Sequence, residues 1–287
     1  VYKRQLVNSL FVANNIRRWL ADGYGQSIPA FLGEIPGLFR DGTLPLDVAL
    51  VNVSPPDAEG YCSFGVSADL AVSAVECART VIAQVNRAMP FSYGDAVIHS
   101  SRFAAAVEVD SPLVEVPTAV PTETELRIGQ AIAELIPDGA VLSLGVGGVP
   151  YTVAKMLAES DKKDLGCHTG TISDPFLELY KAGKLTNARK ELDAGRSAWN
   201  LAMGSQELYD WLDAEPQLFH PGDLDYIHSV ERISKFSNVI SINGGVQLDL
   251  MGQENAESAG ARQLSGIGGQ MDFLEGACRS KGGKGFI

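Results

Sequence analysis

Residues 47–53 and 80–85 are apolar runs of strand length, the second rich in β-branched side chains, and the Ala/Val-rich segment 70–79 between them is helical in character. Strand, helix, strand in that order leaves little choice of topology. A tight hairpin cannot join strands across an intervening helix, so the two lie parallel in one sheet with the helix against its face. The first strand stops at Val53, because Ser54-Pro55-Pro56-Asp57 follows and proline has no N–H to give a ladder. A further helix is expected over residues 11–21, where Ile16, Trp19 and Leu20 recur at helical spacing.

The same alternation returns later in the chain. Ile128, Ala131, Ile132, Leu135 and Ile136 keep the spacing of one buried helix face, and Pro137-Asp138-Gly139 ends that helix. Residues 140–144 then read as a strand, Pro150 opens another helix, and 237–242 and 246–250 read as further strands. Between the two halves, Pro112, Pro117 and Pro121 stand close together with Thr118, Thr122 and Thr124 among them, the best boundary in the sequence. The expected architecture is α/β: two tandem open α/β domains, residues 1–121 and 122–287.

Composition excludes several classes. With 23 basic against 35 acidic residues, the formal charge is −12 and no basic stripe is present, which argues against nucleic acid as a partner. The 45% hydrophobic and 20% charged fractions exclude disorder as the main state. No apolar run reaches the ~18 residues of a membrane span, and Val1-Tyr2-Lys3-Arg4 lacks a signal-peptide core. Cys62, Cys77, Cys167 and Cys278 are widely spaced, with no CxxC pair. They read as reduced thiols of a cytoplasmic protein without a metal. The absence of an initiator Met, and a final segment 282–287 that reads as the start of a strand, lead us to expect a fragment of a longer chain.

Three segments carry candidate chemistry. Gly145-Val146-Gly147-Gly148-Val149-Pro150 lies between a buried strand and a helix start, where backbone amides and the helix terminus favour an anion. Its spacing is not GxGxxG, and no acid follows at the next strand end to hold a ribose; a purely structural tight turn fits the same residues. Ser265-Gly266-Ile267-Gly268-Gly269-Gln270 is a second glycine loop, open to the same two readings. In Gly166-Cys167-His168-Thr169-Gly170-Thr171-Ile172-Ser173-Asp174, His168 and Asp174 could form an acid/base pair, or His168 could be a hydrogen-bonded structural residue. Arg262, Lys281 and Lys284 are candidate cations for an anionic ligand, with a solvated surface as their alternative.

Taken in order, these segments resemble the acetyl-CoA hydrolase / 4-hydroxybutyrate CoA-transferase family of class I CoA-transferases. The resemblance runs over almost the whole chain: residues 53–57 with 60–67, then 144–150, 166–174, 249–253 and 265–273. It implies two related α/β domains with an acyl-CoA site between them, a homodimer, longer chains at both ends, coenzyme A thioester as substrate rather than bound cofactor, and a small carboxylate as acceptor. The glycine loop Gly145, Val146, Gly147, Gly148 and Val149 would be the main CoA contact, Gly268 and Gly269 would close the site, and Val246 would be a further contact. In the family a glutamate after the His-Thr pair attacks the thioester, and carboxylate chemistry suits that task.

At two positions the sequence departs from that pattern. Gly170 stands where the glutamate is expected, and His228 stands after Asp225-Tyr226-Ile227 where relatives carry asparagine. Three expectations follow. Another group acts, with Asp174, Glu178 and His228 as candidates; or water takes the vacated space with His168 or His228 as base, giving a hydrolase; or the chain binds acyl-CoA without turning it over. The leading expectation is an acyl-CoA:carboxylate CoA-transferase for short-chain substrates such as acetyl-, butyryl- or 4-hydroxybutyryl-CoA.

Overall fold

The computed structural model describes residues 6–116, 120–145 and 147–287. In the first half, strand Val48–Val53 pairs in parallel with Thr80–Asn86, which pairs in parallel with Phe103–Val109. Helix Asp69–Cys77 supplies the crossover between the first two. Ala49, Val51 and Val53 alternate inward and pack with Cys62, Phe64, Val75, Val81 and Ala83. The outward residues of the same strand, Val48 and Leu50, remain exposed.

In the second half, Lys284–Phe286, Val239–Ile242, Val141–Leu144 and Gly166–Cys167 lie side by side in that order, all parallel. Its strands Val239–Ile242, Val141–Leu144 and Gly166–Cys167 are buried throughout, as strands of parallel sheets are, while the edge strand Lys284–Phe286 is largely exposed. Leu142, Leu144, Ile240 and Ile242 pack with Val153, Leu157, Phe176 and Trp199 in one core, while Val141 and Val239 pack with Ile227, Phe236, Phe273 and Ala277 in another. The α/β class and the two sheets therefore match the sequence expectation; the boundary tract is only partly visible, since Pro117 and Thr118 lie outside the described residues.

Two local expectations need correction. Helix Glu123–Glu134 forms, and of the expected face Ile136, just past its end, is buried and Ile132 packs against the core, but Ile128, Ala131 and Leu135 are exposed; the residues buried within the helix are Gly129 and Ala133. The reason is close approach, because a Cβ at Gly129 would lie 2.6 Å from Cβ of Thr152 on the neighbouring helix Gly148–Glu159. Small residues win the contact face there, although larger apolar ones lie one position away. The expected strand at 246–250 shrinks to the exposed pair Gln247–Leu248, joined antiparallel to Glu254–Asn255. The N-terminal helix begins later than expected, at Asn14–Ala21.

Main-chain bonds fasten the halves together. Asn200 O accepts from the amides of Ala68 (2.9 Å) and Asp69 (3.1 Å), and Ala202 N–H donates to Val66 O at 2.8 Å. Gly170 O in turn accepts from the amides of Asn200 (3.3 Å) and Leu201 (3.0 Å). Near the other end of this seam, Leu32 N–H donates to Gly268 O at 3.1 Å. Among the described residues, no helix is long and apolar enough to cross a membrane.

The helix contact is testable. In an exposed helix, Gly→Ala gains up to about 1 kcal/mol. Gly129→Ala should instead destabilise the protein by about 1–3 kcal/mol, as overpacking does, seen as a lower midpoint in denaturant unfolding.

Candidate functional site

Strands Val141–Leu144, Gly166–Cys167 and Val239–Ile242 all point their carboxyl ends at one region, and the loops that follow them line a cavity of about 540 Å³. A crevice beyond the carboxyl ends of parallel strands is where open α/β sheets accept ligands. Gly145 follows the first strand, Thr169 and Gly170 the second, and Asn243 and Gly244 the third; Gly266, Gly268 and Gly269 face them from the second glycine loop. Asp69, Asn200 and His228 also reach its wall. Among the described lining residues there is no lysine or arginine.

The first glycine loop is thus only partly at the cavity. Gly145 lines it; Gly147 caps helix Gly148–Glu159 with φ 137°, Gly148 and Val149 belong to that helix, and Val146 lies outside the described residues. The Gly148 amide at this helix start already has an anion. Glu125 accepts from the Thr122 amide (2.7 Å) and hydroxyl (2.7 Å), and the Gly148 N–H also bonds to it. Those hydrogen bonds, from Thr122 first, hold its carboxyl below the usual carboxylate range. Gly268 and Gly269 do line the cavity, whereas Val246 is half exposed outside it, its N–H donated to Asn255 O at 2.8 Å. Lys284 donates to Leu135 O at 2.8 Å, and Arg262 and Lys281 are exposed.

The expected His168–Asp174 pair does not form. His168 Nε2 donates to Ile227 O at 2.9 Å and Nδ1 has no partner, while Asp174 accepts from the amide (3.1 Å) and hydroxyl (2.8 Å) of Ser205. Burial, and then the charge of Lys190, push the His168 imidazole down to about 3. So weak a base serves packing between Phe236 and Phe273 better than proton transfer. Lys190 itself is buried and donates to Cys167 O (2.8 Å) and Arg196 O (2.6 Å), which steadies the strand end. Glu178 sits outside and pairs with Lys181 at 3.3 Å.

His228 is the candidate that the fold brings to the site. A Cβ at Gly170 would lie 3.1 Å from its Nε2 and 3.6 Å from the ring of Phe273. The other nitrogen, Nδ1, is 2.9 Å from Asp272 Oδ2, an oxygen that also accepts from the Gly33 amide at 3.2 Å. His228 is 3% exposed, and its Nε2 has no hydrogen-bond partner. Asn200 shares that condition: it is buried, and its Nδ2 is unpartnered. Sequence reasoning missed Asp272, Asn200 and Asp69. Asp272 lies inside the quoted 265–273 block, in the first turn of helix Gln270–Arg279, and that was its only signal. Asp69 accepts from Ser67 Oγ at 3.0 Å and from the amides of Leu70 and Ala71, so its carboxylate caps its own helix; burial pushes it up from the usual range.

The fold and this cavity define an α/β protein with a ligand crevice, partly lined by glycines, where its parallel strands end. Comparison with known proteins says which. The family model for the acetyl-CoA hydrolase/transferase N-terminal domain matches residues 3–121, and that for the acetyl-CoA hydrolase/transferase C-terminal domain matches residues 204–287. The chain is 44% identical over 280 residues to the 4-hydroxybutyrate coenzyme A transferase of Clostridium kluyveri, covering 98% of this chain and 65% of that protein. It is 39% identical over 284 residues to the butyryl-CoA:acetate CoA-transferase of Anaerostipes caccae, covering 98% of this chain and 64% of that one. The crystal structure of 4-hydroxybutyrate CoA-transferase from Porphyromonas gingivalis superposes with a TM-score of 0.84 at 39% identity, covering 98% of this chain and 68% of that chain. The chain belongs to the acetyl-CoA hydrolase/transferase family. It spans just under two thirds of the length of the curated relatives it matches.

The state of His168 sets a pH dependence. Its imidazole is neutral in the folded protein down to about pH 3, while in the unfolded chain it takes a proton below about 6.5. The unfolded state therefore binds more protons in that window, and stability falls as the pH drops from about 6.5 toward 3, by up to about 1.4 kcal/mol per pH unit. Denaturant unfolding across this range should show a shallower decline for His168→Gln than for the wild type.

Proposed function

We propose that the protein takes a short-chain acyl-CoA into this cavity and passes its CoA to a small carboxylate. The observation that supports this is the cavity wall itself. Main chain from Gly145, Gly170, Gly244, Gly266, Gly268 and Gly269 leaves room for a slender thioester arm, and the absence of lysine and arginine among the described lining residues suits the uncharged end of CoA rather than its phosphates. The relatives' names supply the chemical class, with 4-hydroxybutyrate and butyrate/acetate as the carboxylates concerned.

Gly170 changes the route. With no side chain there, the acceptor carboxylate itself attacks the thioester carbonyl. A C–O bond forms, the C–S bond breaks and CoA leaves as thiolate, giving an acyl anhydride. The thiolate then attacks the acceptor-derived carbonyl and releases the donor's acyl group as carboxylate. Both substrates must be bound together. A second reading, hydrolysis, draws on the same vacant position, since water fits where a side chain is missing. We further propose that residues 1–121 and 122–287 are the two structural units, that the molecule is a cytoplasmic homodimer, and that it works without a resident cofactor; light scattering on the purified protein tests the dimer.

Kinetics distinguish the routes. With butyryl-CoA and acetate, the wild-type full-length protein should give intersecting initial-velocity lines. Gly170→Glu should convert them to parallel lines and leave a protein-bound CoA thioester visible by intact mass. If coenzyme A binds neither protein, the proposal fails; acyl-CoA binding without exchange or thiol release would identify a silent binding module.

A further inference from the structure

We infer that an apolar groove beside the strand-end cavity holds the tail of the acyl group, so that the acyl-CoA this protein binds best carries a neutral, apolar chain longer than butyryl; the inference rests on the thioester binding in that cavity as proposed above. The groove has a volume of about 760 Å³ and includes the outward residues Val48 and Leu50 of strand Val48–Val53. It meets the strand-end cavity at Asp69, Leu70, Leu201 and Met203, which line both. None of these four is fully buried, so each keeps surface on open space, whereas Asn200 and Ala202 between them are buried.

The meeting point lies next to Gly170. Leu201 donates its N–H to Gly170 O at 3.0 Å, and Ala202 donates to Val66 O at 2.8 Å, so a rim made of residues 66–70 from the first half and 201–203 from the second stands beside the position proposed for the thioester. A chain that leaves the carbonyl there, turned away from the glycine loops that receive the CoA arm, runs onto Leu201 and Met203. Met203 is unbranched and adaptable, which suits a rim that has to part around a tail. Beyond it the groove offers Val66, Leu113, Leu50 and Val114. Leu50 is 77% exposed and Val114 81%. Single exposed apolar residues need no explanation, but these share one groove with Val48, and a contiguous apolar patch beside a ligand cavity is where apolar ligand surface is best covered.

Charge narrows the class of tail. Among the described lining residues of the groove there is no lysine, arginine or histidine, and Asp69 is the one charged side chain. Its carboxylate is already engaged by Ser67 Oγ at 3.0 Å and by the amides of Leu70 and Ala71. A tail that ends in a carboxylate, as succinyl does, would therefore pass a like charge and find no cation to pair with, and burying an unpaired charge is costly. A hydrocarbon tail meets neither penalty and removes apolar surface from water on both sides.

The experiment measures calorimetric dissociation constants of the full-length protein for coenzyme A and for butyryl-, hexanoyl-, octanoyl- and succinyl-CoA. Full burial of a methylene is worth about fourfold in affinity; an open groove that covers about half of it gives about twofold, or about 15-fold from butyryl to octanoyl. Leu50→Glu and Val114→Glu alter exposed positions that tolerate substitution, and each should bring octanoyl-CoA to within about threefold of butyryl-CoA. Succinyl-CoA should bind at least about tenfold more weakly than butyryl-CoA. Equal affinity for butyryl- and octanoyl-CoA overturns the inference; a second copy or another segment lying over this face would produce that result. A chain-length gain that survives undiminished in both variants overturns it too, since the tail then lies elsewhere. Succinyl-CoA bound as tightly as butyryl-CoA overturns the neutral class. In all three cases binding of coenzyme A itself leaves the transfer reading standing. Failure of the wild type to bind coenzyme A is the separate result that removes that underlying reading.

Discussion

The cavity depends on one stretch of backbone held from both sides. At Asn200 the chain gives its carbonyl to the amides of Ala68 and Asp69, from the first half, and its amide to Gly170 O, from the second. These are main-chain bonds in a buried setting, where an unmade partner costs more than a made one gains. Loss of this junction would release Asp69, Gly170 and Asn200 together, because all three hang on the same few atoms. Everything chemical about the site is referred to this seam: the direction in which Gly170 would project a side chain, the wall that Asn200 forms, and the spacing of both from His228.

Much of the fold was legible because the controlling forces are local. Residues 47–53 and 80–85 are apolar and flanked by turn or helix signals, and they became Val48–Val53 and Thr80–Asn86. Where the reading slipped, a partner element decided. The face of Glu123–Glu134 is set by Thr152 pressing against Gly129, which no periodicity of large apolar residues can reveal. Residues 246–250 alternate well enough for a strand, yet their pairing partner is only Glu254–Asn255, so a two-residue exposed ladder is all that forms.

The site divides in the same way. Glycine loops announce themselves in sequence, and Gly145, Gly268 and Gly269 reach the cavity. Pairing was not legible. His228 and Asp272 are 44 residues apart and meet only because helix Gln270–Arg279 brings its first turn under the imidazole. His168 and Asp174, close in sequence, are drawn to different partners, Ile227 O and Ser205. Proximity along the chain was a poor guide to proximity in space, and the unsatisfied nitrogens of His228 and Asn200 had no sequence signature at all.

The Glu125 carboxylate at the start of helix Gly148–Glu159 has a consequence of its own. The amides of that helix start are the natural berth for a negatively charged visitor, and the protein has filled it from within. Any external phosphate or carboxylate seeking the berth must evict a tethered rival, whose effective concentration is fixed by the capping turn at Thr122. Occupancy of that helix start is therefore a competition between guest and host, and replacing Glu125 would remove the host's claim.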